Sequence, residues 1–169
     1  MQKMNYRDFT LKARLYNSQK IKGQLLKLGA RCVGTDNQVD RYFEIAQGKL
    51  KWRQGNIENL ITHYERIQED GLEQTVVYRY DVNPSQETIQ QLFDLYQVAS
   101  TVSKQRTIYW LGNVKIHVDK LPDGSEFIEL EAMDRNDKLS TAELKTQCKQ
   151  IQQALAIEDS DLLPTGYFQ

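Results

Sequence analysis

A chain of 169 residues is long enough to bury one sizeable core and suits a single domain, read as residues 1–169. Its 22 basic and 23 acidic residues leave a net charge of −1, so bulk charge makes no case for a nucleic-acid or membrane partner. Any anion site must come from local sorting of charge.

No apolar run approaches the roughly 20 residues of a membrane span, and the opening "MQKMNYRDFTLKARLYN" is too polar for a signal peptide. Cys32 and Cys148 lie far apart, without a His or Cys at metal-ligand spacing. They read as two reduced thiols, and the expected location is the cytoplasm.

Period-two alternation begins at residues 7–16, where Asp8, Thr10, Lys12 and Arg14 oppose Phe9, Leu11, Ala13 and Leu15. A helix follows from Ser18, with Ile21, Leu25 and Leu28 on one face and Gly29 as its stop. Strands are predicted at 39–46 and 49–54. In the second, Lys49, Lys51 and Arg53 share one face and Leu50 and Trp52 the other.

Strand 59–67 adds Tyr64 and Arg66. Strand 74–82 sets Arg79 and Asp81 against Val76, Tyr78, Tyr80 and Val82. A second helix opens at "NPSQE" and carries Ile89, Leu92, Phe93 and Tyr96 on one side. Strand 102–111 presents Lys104 and Arg106, and strand 114–121 presents Lys115, His117 and Asp119 against Val114, Ile116 and Val118. Strand 126–133 places Glu129 and Glu131 opposite Ile128, Leu130 and Ala132. A third helix starts at the capping box "STAE", with Leu144, Cys148, Ile151 and Leu155 as its apolar face.

Turn signals at Gly48, Asp70-Gly71, Gly112-Asn113 and Asp123-Gly124 are short, and short turns join antiparallel neighbours. The predicted class is α+β: an eight-stranded antiparallel β-barrel, a tunnel, with helices packed outside. Closure removes exposed edges.

The charged faces admit two readings. Antiparallel sheets often turn one charged face to water. Alternatively, the faces line a lumen, since basic residues fall on the middle strands and carboxylates on the last two. In a lumen the cations would repel one another unless a multiply charged anion sat among them, and Lys and Arg suit phosphate oxygens. Asp119, Glu129 and Glu131 would then suit Mg²⁺ or Mn²⁺, which take oxygen ligands and bridge phosphates. Arg14, Lys49 and Arg79 share the basic faces and join the candidate phosphate contacts. His117 reads either as a base or as a packed histidine, and Trp52 and Trp110 as core or rim aromatics.

The pieces "LGARCVGTDNQVDRYFEIAQGKLKWRQG", "LITHYER", "SKQRTIYWLGNVKIHVDKL" and "FIELEAM", in order, resemble the CYTH family, the triphosphate tunnel metalloenzymes, and its class IV adenylyl cyclase branch in particular. The likeness spans nearly the whole chain and includes the tail "DLLPTGYFQ". It implies a tunnel binding a triphosphate and a divalent metal. By position, Lys12, Lys51, Arg53, Arg66, Lys104 and Arg106 would grip phosphates, Glu129 and Glu131 would bind metal with Asp119 beside them, and Lys12 and Asp119 would stand at the chemistry.

The family's first-strand signature, Glu-x-Glu-x-Lys, is here Asp8, Thr10 and Lys12. Asp8 keeps a carboxylate for metal, whereas Thr10 has none. Expected partners are ATP, inorganic triphosphate or thiamine triphosphate, with no nucleic acid or membrane, in a monomer or homodimer. Three activities follow: cyclisation of ATP, hydrolysis of a triphosphate, or binding without turnover. A purine pocket for the first would be edged by an aromatic such as Tyr42 or Trp110.

Overall fold

Strand β1 (Met4–Leu15) shows the plan of the molecule in our computed structural model, which describes residues 4–69 and 72–163. Leu11, Ala13 and Leu15 point to one side and are buried. Asp8, Thr10 and Lys12 point to the other and are buried as well. A sheet with one wet face would bury one set only. The charged faces therefore close around a lumen.

Eight strands form the ring, each antiparallel to its neighbours. In order they are β5 (Leu72–Val82), β4 (Leu60–Glu69), β3 (Lys49–Gln54), β2 (Arg31–Phe43), β6 (Val98–Leu111), β7 (Val114–Lys120), β8 (Glu126–Asp134) and β1. Pairing of β1 with β5, from Met4↔Val77 to Arg7↔Gln74, closes it. Past Arg7 that pairing ends, and the two-residue β9 (Leu162–Leu163) covers Lys12 and Ala13 instead.

Three helices cover the outside, as the capping signals predict. Helix α1 (Ser18–Lys27) is capped by the Asn17 side chain, which accepts from the Lys20 amide. Helix α2 (Gln86–Leu95) is capped by Ser85, and α3 (Thr141–Ala154) by the full Ser140–Glu143 box. Ile21 and Leu25 of α1 and Leu144, Cys148 and Ile151 of α3 pack on Leu11, Ile116, Ile128 and Leu130. Ile89 and Leu92 of α2 seal a second cluster with Phe43, Leu50, Trp52 and Ile61. The apolar half of each alternation thus holds helices on the barrel, at a cost of about 2–5 kcal/mol per buried Leu or Ile truncated to Ala. Leu28 and Phe93 sit at the edges of these faces and stay partly exposed.

The strands largely follow the alternation; β5 departs from it past a register shift described below, and β2, predicted from residue 39, begins at Arg31. Its first half, "RCVGTDNQ", hides the pattern because the inward positions Asp36 and Gln38 are polar. A register shift between Cys32 and Gly34 also bends it. Gly34 has φ +146°, and a Cβ there would lie 3.0 Å from Ile57 Cδ1. The Asp70-Gly71 turn and the tail from Pro164 lie outside the described residues. Among the described residues no helix is long and apolar enough to cross a membrane.

Candidate functional site

The lumen holds a cavity of about 1020 Å³, lined by eight lysine and arginine side chains against five carboxylates. Charge of one sign is in excess, as a polyanion site requires. Lys49, Lys51 and Arg53 come from β3, Arg66 from β4, and Lys104 and Arg106 from β6.

Buried carboxylates hold several of these cations in place. Asp40 of β2 accepts from Arg53 Nε and Nη2, both at 2.9 Å, and from Lys104 Nζ at 2.5 Å. Asp119 of β7 accepts from Arg106 Nε and Nη2 at 2.7 and 2.8 Å. Glu58, in the β3–β4 loop, accepts from Lys115 Nζ at 2.6 Å, and Arg53 Nη1 lies 3.5 Å away. Burial alone would raise these acids. The cations outweigh it, keeping Asp40 far below the usual carboxylate range and Glu58 near 2. Such pairs fix the forks before a ligand arrives.

Lys51 is different. Its ammonium lies between the rings of Tyr42 and Tyr64, 5.9 and 5.5 Å from their centroids. No carboxylate among the described residues is within ion-pair distance of it. Burial, then Arg53, Lys104 and Arg106, push its pKa well below the ordinary lysine value, although Asp40 opposes them. Burial and neighbouring cations bring Lys104 to about 8. A phosphate chain would relieve the repulsion that both lysines feel.

The other predicted residues divide. Lys12 is buried and faces Glu129 across the β1–β8 pair. Burial, with Arg106, brings it to about 8 against the pull of Glu129 and Asp119. Arg14 does not join the cavity: it is exposed, its guanidinium over the rings of Phe127 and Tyr16 at 5.5 and 5.7 Å.

Arg79 is a further correction. A register shift between His63 and Tyr64 reverses the alternation of β5. Thr75, Val77 and Tyr80 line the cavity, while Arg79 donates to Asp81 at 2.7 Å.

For a divalent cation, Glu129 and Glu131 line the cavity two residues apart on β8. Burial and then the Glu129 charge raise the pKa of Glu131, a tension that a bound cation would remove. Two carboxylate oxygens plus phosphate oxygens make a donor set that fits Mg²⁺ or Mn²⁺. Asp119 and Asp8 do not complete a cage. Asp119 faces Arg106, Asp8 accepts from the Thr75 hydroxyl at 2.9 Å, and no group of three or more potential ligands forms among the described residues.

Sequence reasoning missed Asp36, Gln38, Asp40 and Glu58. "TDNQVD" carries the first three at every second position, a signal available once that segment is read as a strand. Glu58 sits in a loop, and no periodicity marks it. His117 is buried at the cavity wall, and neither ring nitrogen has a hydrogen-bond partner among the described residues.

This enclosed antiparallel ring with a cationic lumen defines a β-tunnel protein with an anion site. The chain belongs to the CYTH family, whose domain model matches residues 9–167. The PH1012 protein of Pyrococcus horikoshii OT3 is similar at 25% identity, with a TM-score of 0.78 over 95% of this chain and 96% of that one. A candidate adenylate cyclase from Vibrio parahaemolyticus shares the fold at 16% identity and a TM-score of 0.75, over 95% of each chain. HpAC1 from Hippeastrum, a candidate adenylyl cyclase with a dominant triphosphatase activity, shares it at 13% identity and a TM-score of 0.59, over 96% of this chain and 92% of that one. No curated protein matches the sequence.

Proposed function

We propose that this tunnel binds the triphosphate of an organic substrate together with a divalent cation and breaks one of its phosphoanhydride bonds, as a class IV adenylyl cyclase does on ATP. The observation that carries this reading is Lys51, a half-buried ammonium in the cavity wall with no carboxylate among the described residues at ion-pair distance, set among Arg53, Lys104 and Arg106. The cavity volume, about 1020 Å³, is at the upper end of the roughly 300–1,000 Å³ of pockets that enclose whole ligands. Tyr42 and Tyr64 beside Lys51 offer ring faces to the organic part.

Lys51, Arg53, Lys104 and Arg106 would hold the phosphate oxygens and offset the charge that grows on the leaving phosphate. Asp40 and Asp119 would keep the Arg53 and Arg106 forks in register. Lys12 would support the phosphate next to Glu129. Glu129 and Glu131 would hold a Mg²⁺ or Mn²⁺ ion, whose chemistry when bound is to offset phosphate charge and lower the pKa of the attacking oxygen.

In the cyclase reading, the ribose 3′-oxygen bonds to the α-phosphorus and pyrophosphate leaves. Hydrolysis, with water attacking the terminal phosphorus, is the second reading. HpAC1, of the same fold and dominantly a triphosphatase, supports hydrolysis, whereas the Thr10 position, where one family carboxylate is missing, favours a third reading, binding without turnover.

The test offers ATP, thiamine triphosphate and inorganic triphosphate with Mg²⁺ and separately with Mn²⁺. Cyclic AMP from ATP establishes the cyclase, and orthophosphate from the other substrates establishes the hydrolase. Binding without turnover would overturn the catalytic reading and leave a triphosphate-binding module; absence of triphosphate binding by calorimetry would overturn the proposal whole.

A further inference from the structure

The β3–β4 loop, residues 55–59 ("GNIEN"), does not lie outside the ring. Its Asn56 and Glu58 amides donate to the Asp36 carboxylate at 2.7 and 2.9 Å, and that carboxylate is buried on the inner face of β2. Gly55 makes the fit possible, since a Cβ there would collide with the Asp36 carboxylate and with the Glu58 carbonyl. The loop backbone is therefore pinned over the lumen.

From it Glu58 spans the interior. Its Oε1 accepts from Gln38 Nε2 of β2 at 2.9 Å, and its Oε2 from Lys115 Nζ of β7 at 2.6 Å. In the ring β6 stands between β2 and β7, so the Glu58–Lys115 pair crosses the space that β6 faces. Lys115 is the second residue of β7, beside the Gly112-Asn113 turn, which puts the pair at one end of the tunnel.

The geometry points to Glu58 as the residue that makes the tunnel a dead end, so that it accepts the terminal part of a short phosphate chain and excludes the interior of a long one. The inference rests on the triphosphate reading of the site and adds a limit on chain length. A carboxylate repels phosphate at the end of the cationic row, and by pairing with Lys115 it withholds the cation that would draw a longer chain onward. The same carboxylate lies near Arg53, so its removal frees donors as well as space.

The experiment measures binding of inorganic triphosphate and of long-chain linear polyphosphate by calorimetry. It compares the unaltered protein with Glu58→Ala and with Lys115→Met, which breaks the same strut from the β7 side. Circular dichroism checks that each variant is folded. The unaltered protein is expected to prefer triphosphate; Glu58→Ala should shift the affinity ratio toward the long chain by about tenfold, whereas Lys115→Met, which leaves the carboxylate in place without its cation, should not. An unchanged ratio in folded Glu58→Ala, or a shift toward the long chain in folded Lys115→Met, with triphosphate still bound, would overturn this inference alone. Failure of the unaltered protein to bind triphosphate would overturn the site reading and this inference together.

Discussion

Arg106 and Asp119 face each other across β6 and β7 in a two-point pair, Nε to Oδ1 at 2.7 Å and Nη2 to Oδ2 at 2.8 Å. The pair engages both Asp119 oxygens, at a residue whose place in the sequence suggests metal ligation. Asp119→Asn should leave Mn²⁺ affinity unchanged if, as proposed, Glu129 and Glu131 hold the ion. It should lower stability by about 3–5 kcal/mol, the usual cost of leaving a buried charge without its partner. Calorimetric metal titration and urea unfolding read the two effects separately. Loss of Mn²⁺ binding with stability intact would return Asp119 to the metal.

Lys51 makes the opposite prediction for stability. Its charge is buried among like charges, so Lys51→Met should leave the ligand-free protein as stable or more stable. Triphosphate affinity should fall by about 10–100-fold, the worth of a charge-assisted contact. Thermal melts with and without inorganic triphosphate separate the two quantities. Unchanged affinity would remove Lys51 from the site.

The pH dependence follows from Lys12 and Lys104, both near 8 in the fold against 10.5 for an ordinary lysine. Between those values the unfolded chain binds more protons than the folded one, so ligand-free stability should rise with pH from about 8 toward 10. Above about 10, Tyr6 and Tyr42 reverse the trend, since burial raises their pKa values and favours the protonated fold. Triphosphate binding has the other sign and should weaken from about pH 8 upward, as the cations lose their protons. Urea midpoints and calorimetry across this window should therefore diverge. Parallel trends would mean that these lysines are not buried as described.

Thr10 stands opposite Glu131 in the β1–β8 register, with Arg66 Nη1 at 3.4 Å from its hydroxyl. Thr10→Glu adds a third carboxylate beside Glu129 and Glu131. Mn²⁺ should bind about tenfold tighter, since more charged oxygen ligands raise affinity for a hard cation. Ligand-free stability should fall, because another acid is buried. Unchanged Mn²⁺ affinity would place the ion away from Glu131.

Much of the architecture was legible in the chain. Alternation such as Leu11, Ala13 and Leu15 against Asp8, Thr10 and Lys12 marked strands without tertiary information, because side chains on a strand leave opposite sides of the backbone. The segments at Ser18, "NPSQE" and "STAE" marked helix starts, because capping side chains satisfy amides that any helix leaves open; in the first helix the cap proves to be Asn17.

Local pattern could not show which way a face points once the backbone slips. The register shift by Tyr64 turns Arg79 out and Tyr80 in, a one-residue event with no local signature. Nor could it show that Asp40 pairs with Lys104, or that a loop glutamate reaches Lys115, because these contacts join residues 64 and 57 positions apart. The sequence alone determined the strands, the helices and the surplus of cations on particular faces. Tertiary structure alone decided that those faces meet in an enclosed lumen and which carboxylates hold which cations, because ring closure and salt-bridge pairing depend on distance in space.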